Sequence, residues 1–170
     1  DRYRVKAIYG ENGAGKSALV TAVYLFKNLV LNRNYLAETS NQIKLDELIN
    51  KKTSTFSFSC EFHVAASELS RVFRYSLVVD KDEHGLFYVV KESLELRRRL
   101  VDENSYETVY AVEEGELTEL QCDDETTDLV ARRTANLLTQ STLPALEFNL
   151  HLGLSDMVPS ISQIIVLALM

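Results

Sequence analysis

"YGENGAGKSA", residues Tyr9–Ala18, decides how this chain is read. Gly10, Gly15, Lys16 and Ser17 satisfy the pattern G-x-x-x-x-G-K-[ST] of a phosphate-binding loop. Such a loop wraps a polyphosphate in its own backbone N–H groups, so its side chains must be small or absent. Gly13 and Gly15 allow the dihedrals and the close approach this needs. A helix opening near Gly15 points its positive end at the anion. Lys16 is placed to reach the β- and γ-phosphates as a mobile charge, and the Ser17 hydroxyl to ligate Mg²⁺. The expected nucleotide-binding residues are therefore Gly10, Glu11, Asn12, Gly13, Ala14, Gly15, Lys16, Ser17 and Ala18. Lys16 is the expected catalytic group, Ser17 the expected metal ligand, and ATP with Mg²⁺ the expected cofactors. The plain alternative is a glycine-rich turn before a helix. Against it, the motif follows an apolar stretch and opens an amphipathic one.

Outward from the loop, "YRVKAIYG" (Tyr3–Gly10) reads as a short buried strand running into the glycines. "KSALVTAVYLFKNLVLNR" (Lys16–Arg33) reads as a helix, with Leu19, Val23, Phe26 and Val30 recurring at three and four as its packed stripe. Asn32–Asn41 is polar and reads as a loop, and "IKLDELINKK" (Ile43–Lys52) as a short helix.

The period then changes to two. Phe56, Phe58, Cys60, Phe62 and Val64 alternate with Ser57, Ser59, Glu61 and His63, which predicts a strand with one buried face. Phe73, Tyr75, Leu77 and Val79 repeat the pattern. Asp82–Gly85 is a turn signal, so Val72–Val79 and Leu86–Val90 should form a hairpin. Leu94 and Leu96 alternate next, then Tyr106, Thr108, Tyr110 and Val112, with Leu117–Cys122 as a last strand. Helical spacing returns at Thr126–Gln140, where Thr126 or Thr127 is the expected cap. Past Pro144 the apolar pattern is again helical. The order is strand, loop, helix, an antiparallel meander of about five strands, then helices.

"YGENGAGKSAL" (Tyr9–Leu19) resembles the Walker A of ABC-type ATPases in the SMC/RecF group, where Asn-Gly-x-Gly-Lys-Ser is usual. That group also inserts a β-subdomain after the P-loop helix. The segment from Thr53 through Leu96 looks like the matching part of anti-phage ATPases of the abortive-infection, OLD-like, septu and retron-associated kinds. The resemblance implies an α/β fold: a P-loop NTPase core with an inserted antiparallel β-subdomain, lobe I of an ABC-type head, followed by helices. Residues 1–33 would carry strand, loop and helix, 53–122 the β-subdomain, and 126–170 the helical region.

It also implies Mg-ATP binding and, with Walker B and signature elements added, hydrolysis coupled to a head-to-head homodimer in a cytoplasmic defence complex. An effector nuclease or toxin is the implied partner, and DNA would be met through other parts of the protein. A DNA-repair ATPase of the RecF/SMC kind and a nucleotide-gated scaffold with little hydrolysis are the competing readings. An LSGGQ-like signature is absent from these 170 residues. "SLVVDKDE" comes nearest to an acid-ended Walker B strand, at Asp80. Its strand is amphipathic and runs into the Asp82–Gly85 turn, so it reads as a hairpin end. Gln121 and Gln140 stand where a family glutamine would fall, but read as solvated side chains. Both ends look cut, so the expectation is an N-terminal lobe that turns over no ATP alone.

The remaining features bound the function. A net charge of −7 argues against coating nucleic acid through bulk charge. Cys60 and Cys122 are too few for a disulfide framework, and no Cys/His spacing suggests zinc. Arg97 and Arg99 share a strand face and read first as a solvated edge, second as a phosphate or DNA contact. Tyr106 and Tyr110 read as packing residues rather than base-stacking ones. "PSISQIIVLALM" (Pro159–Met170) is too short for a bilayer, which takes about 20 residues, and reads as buried helix or strand; no membrane contact is expected.

Overall fold

A computed structural model describes residues 16–49, 55–66, 69–97 and 105–170. The expected strand Tyr3–Gly10, the glycines of the loop and Arg99 lie outside the described residues, as does the Lys16 side chain. The architecture is mixed α/β. Helices α1 (Lys16–Leu31) and α2 (Thr39–Leu48) precede five strands: β1 (Phe56–Ala66), β2 (Leu69–Lys81), β3 (Phe87–Arg97), β4 (Tyr106–Glu113) and β5 (Glu116–Leu120). Helices α3 (Asp124–Thr134), α4 (Leu143–Leu150), α5 (Leu154–Met157) and α6 (Pro159–Leu169) follow. The sheet order is β1-β2-β3-β4-β5, antiparallel throughout, as the alternating period required.

One face of the sheet is dry. Phe73, Tyr75, Leu77 and Val79 of β2 are all buried, with Leu94, Tyr110 and Val112 beside them. Helix α1 lies on this face: Phe26 stacks on Phe58 with ring centroids 4.5 Å apart and meets Tyr75 edge-on at 5.9 Å. Helices α4 and α6 pack against α1. The last carbonyls of a helix lack intrahelical donors, and α4 provides two. Thr142 Oγ1 donates to Leu29 O at 2.8 Å and Asn149 Nδ2 to Leu31 O at 3.0 Å. Ile161, Ile164 and Ala168 bury one side of α6, the helix read from the C-terminal apolar run. Among the described residues no helix is long and apolar enough to cross a membrane.

Several expectations need correcting. Leu19 and Val23 of the supposed stripe are about half exposed (48% and 52%), while Leu25, Phe26, Leu29 and Val30 are buried. Packing partners meet only the second half of α1, so the core face is set there. Helix α2 begins at Thr39, inside the segment read as loop. Strand Leu86–Val90 and the Leu94–Leu96 strand are one continuous β3. A bulge at Val90 breaks the period, because Val78 faces Lys91 while Val79 faces Val89. That bulge returns Glu92 and Leu94 to the face of Phe87 and Val89.

A second bulge overturns the alternation of Tyr106, Thr108, Tyr110 and Val112. Leu94 pairs with Tyr110 but Glu95 with Thr108, so Val109 is the extra residue. Tyr110 and Val112 face the core, and Tyr106 goes to the open face. Nor is Arg97 on an edge, since β3 is the central strand. The cap of α3 is Asp123, whose carboxylate accepts from Thr126 N at 2.9 Å, rather than a threonine. Helix α3 stops at Thr134 instead of running to Gln140.

The β4–β5 turn places Glu114 at φ 49° and Gly115 at φ 82°, the left-handed pair of a type I′ hairpin. A Cβ on Gly115 would overlap the Thr139 methyl. Gly115→Ala should therefore destabilise by about 2 kcal/mol, from left-handed strain plus overlap. Repeating it in a Thr139→Ser background, without that methyl, should recover about half the loss in urea melts.

Candidate functional site

The site begins where α1 begins. Lys16 is its first residue, and Ser17 and Ala18 follow in its first turn, both exposed. No acidic side chain occupies that turn, so the partial positive charge of the helix end is not neutralised from within. A cleft of about 560 Å³ opens beside it, lined by Ser17, Ala18, Thr21, Ile49, Thr55 and Phe56 among others. Its walls come from the start of α1, the end of α2 and the start of β1. The geometry brings Ser17, Ala18 and Thr21 to one opening.

Of the expected site residues, Gly10, Glu11, Asn12, Gly13, Ala14 and Gly15 lie outside the described residues. Asp80 stands in β2, an antiparallel strand paired on both sides, as the hairpin reading required. Its carboxylate accepts from Thr55 Oγ1 at 2.9 Å, which ties β2 to a residue lining the cleft. Gln121 is exposed and donates to Glu107 Oε1 at 2.9 Å. Gln140 is exposed on the segment between α3 and α4.

Gln42, unremarked in the sequence, joins α2 to β3. Its amide accepts from Phe87 N at 2.7 Å and donates to Phe87 O at 3.0 Å, copying a strand partner. The Lys81–Asp46 ion pair ties α2 to the end of β2 as well.

On the open face, Tyr106 donates to Glu61 Oε1 at 2.6 Å, and Arg97 reaches both the Tyr106 hydroxyl and Glu61 Oε2. The Arg74 guanidinium lies 3.7 Å from the Tyr106 ring centroid and bonds Glu61 at 2.9 Å. The Tyr106 hydroxyl and Arg74 together hold the Glu61 carboxyl below its usual range. Arg97 is thus engaged by a carboxylate and a phenol, an arrangement that favours cross-strand packing over a phosphate contact. Burial raises the Cys60 thiol to about 11 and also raises that of Cys122, which suits inert cysteines.

Glu92 is the functional-looking group that the sequence reading passed over. Its side chain is buried on the core face of β3. Tyr75 and Tyr110 donate their hydroxyls to Oε1 at 3.1 and 2.8 Å, and Leu143 N–H donates to Oε2 at 2.8 Å. Burial pushes the carboxyl up to about 7, against the pull of those three donors. The available signal was parity: Glu92 shares it with Leu94 and Leu96, a charged residue on an apolar strand face. Comparison of the chain with protein-family models, curated proteins and solved structures finds no match.

Proposed function

We propose that the chain binds Mg-ATP through residues Gly10–Ala18 and forms part of an ATPase head of the ABC type. The observation that carries the reading is the phosphate-loop pattern ending where α1 starts, with Ser17 and Ala18 exposed in the first turn beside an open cleft. A helix start with no acidic side chain in its first turn favours an anion. The donor set fits the cofactor: Lys16 supplies a charge for the phosphates, Ser17 a hydroxyl oxygen for a hard cation. Bound Mg²⁺ would offset phosphate charge. The five-stranded meander following α1 suits the inserted β-subdomain of that group. Hydrolysis, head-to-head pairing and a role in anti-phage defence extend the proposal, and they need an acid pair and a signature helix not found in these 170 residues.

The test is equilibrium binding of ATP with and without Mg²⁺. Lys16→Ala should weaken binding by roughly 10–100-fold, the worth of one charge-assisted contact. Calorimetry showing equal affinity in the two proteins would remove Lys16 from the site and with it this reading.

A further inference from the structure

We propose that Glu92 is a proton-operated latch for α4: neutral, it keeps the start of α4 dry against the sheet, and ionised, it favours a hydrated, opened start. The inference does not depend on nucleotide binding. It stands first on geometry. The carboxyl sits between Tyr75 of β2, Tyr110 of β4 and the Leu143 N–H at the head of α4. Strands β2, β3 and β4 are bound into the sheet along their ladders, whereas α4 joins the cluster at its first turn, through the Leu143 N–H and the Thr142 side chain, which bonds Tyr75. Admitting water by moving the sheet would break ladder bonds. Admitting it by lifting the first turn of α4 breaks the Leu143 bond and the Thr142 bonds to Leu29 O and Tyr75, and uncovers buried Leu143 and Ala145, but it is confined to a single turn. The cheaper motion belongs to α4, and it also frees a carbonyl near the end of α1.

The other groups facing Glu92 keep their charge over the relevant range. Tyr75 and Tyr110 are both raised well above the usual phenol value, by burial first and by Glu92 next. Cys60 of β1, which adjoins Tyr75, stays a neutral thiol. Helix α1 brings apolar Phe26 against Tyr75. Glu147, the buried carboxyl of α4, faces the Leu154 and Ser155 amides instead. Among the described residues no cation offsets Glu92, and only its own proton changes the charge of the cluster.

The direction follows from linkage. A carboxyl whose closed-state value lies above its open-state value binds more protons closed than open. Closure is therefore favoured at low pH and weakens as pH rises from about 4.5 to about 7. The opening equilibrium should grow up to about tenfold per pH unit in that window and then level off, on the order of a hundredfold in all between pH 5 and pH 8.

The experiment is amide hydrogen exchange on the whole chain, with intrinsic rates divided out. Protection of the Leu143 amide should fall on the order of a hundredfold from pH 5 to pH 8, while β2 amides do not fall in step. In Glu92→Gln the Leu143 protection should be flat across the same range. A flat wild-type profile, an equal fall at every amide, or an unchanged profile in Glu92→Gln would each overturn the latch. Should Glu92→Gln fail to fold, the side-chain carboxyl carbon of wild-type Glu92 is followed by NMR. A midpoint near 7 at which the fall in Leu143 protection levels off supports the proposal, and a midpoint near 4.5, or one near 7 with Leu143 protection unchanged across it, overturns it.

Discussion

Glu92→Ala should cost the fold about 4 kcal/mol near pH 5, measured by urea unfolding. The substitution leaves two buried phenol hydroxyls and one buried N–H without their acceptor, and each orphan costs about 1–3 kcal/mol. It also opens a gap in the dry face of the sheet. The cost should shrink with alkalinity. Wild-type Glu92 has its folded value raised to about 7, so its contribution is fully present below about 4.5 and is lost as pH rises towards 7. Alanine has no such dependence. By pH 8 the gap between the two proteins should narrow by about 2–3 kcal/mol. A gap that widens with pH would mean that these three donors outweigh the cost of burying the carboxylate.

Phe26→Ala should remove about 3–5 kcal/mol at any pH, the usual loss for a buried phenylalanine. Phe26 is 4% exposed and joins α1 to two strands, stacking on Phe58 and meeting Tyr75 edge-on. Its loss leaves a void between helix and sheet that neither ring can fill without leaving its neighbours. The matched control is Val23→Ala, one turn earlier on the stripe read from the sequence. Val23 is half exposed, so its truncation should change stability by no more than about 0.5 kcal/mol. Equal losses at the two positions would put the packed face of α1 where the heptad-like spacing had it, not where the structure does.

That contrast shows what could be read in advance. The meander was legible because Phe73, Tyr75, Leu77 and Val79 alternate without a fault, and a strand with one wet face writes its register into that alternation. The Asp82–Gly85 turn was legible from its residue types. Val90 and Val109 were not, because a bulge adds one residue and inverts the parity of all that follow, and valine carries no mark of it. Tyr106 was assigned to the wrong face for that reason. Helix α1 was legible as a helix but not in its facing, since Leu19, Val20, Val23 and Leu25, Phe26, Leu29 form two apolar faces and only tertiary packing selects between them. The candidate site was legible as a local motif. Glu92 and Gln42 were not, because their partners at Leu143 and Phe87 lie 51 and 45 residues away.

The neighbour-to-neighbour order of the sheet has a kinetic consequence. Each strand pairs with the one just before or after it, so contacts of short sequence separation dominate and hairpins can close in sequence. Helix α1 has the opposite problem. It leaves the ribosome before the strands, α4 and α6 on which it packs. At about 5–20 residues per second, its apolar side waits several seconds for a partner. Nascent chains stalled before Leu143 should then present that side to chaperones, with the sheet already assembled behind it.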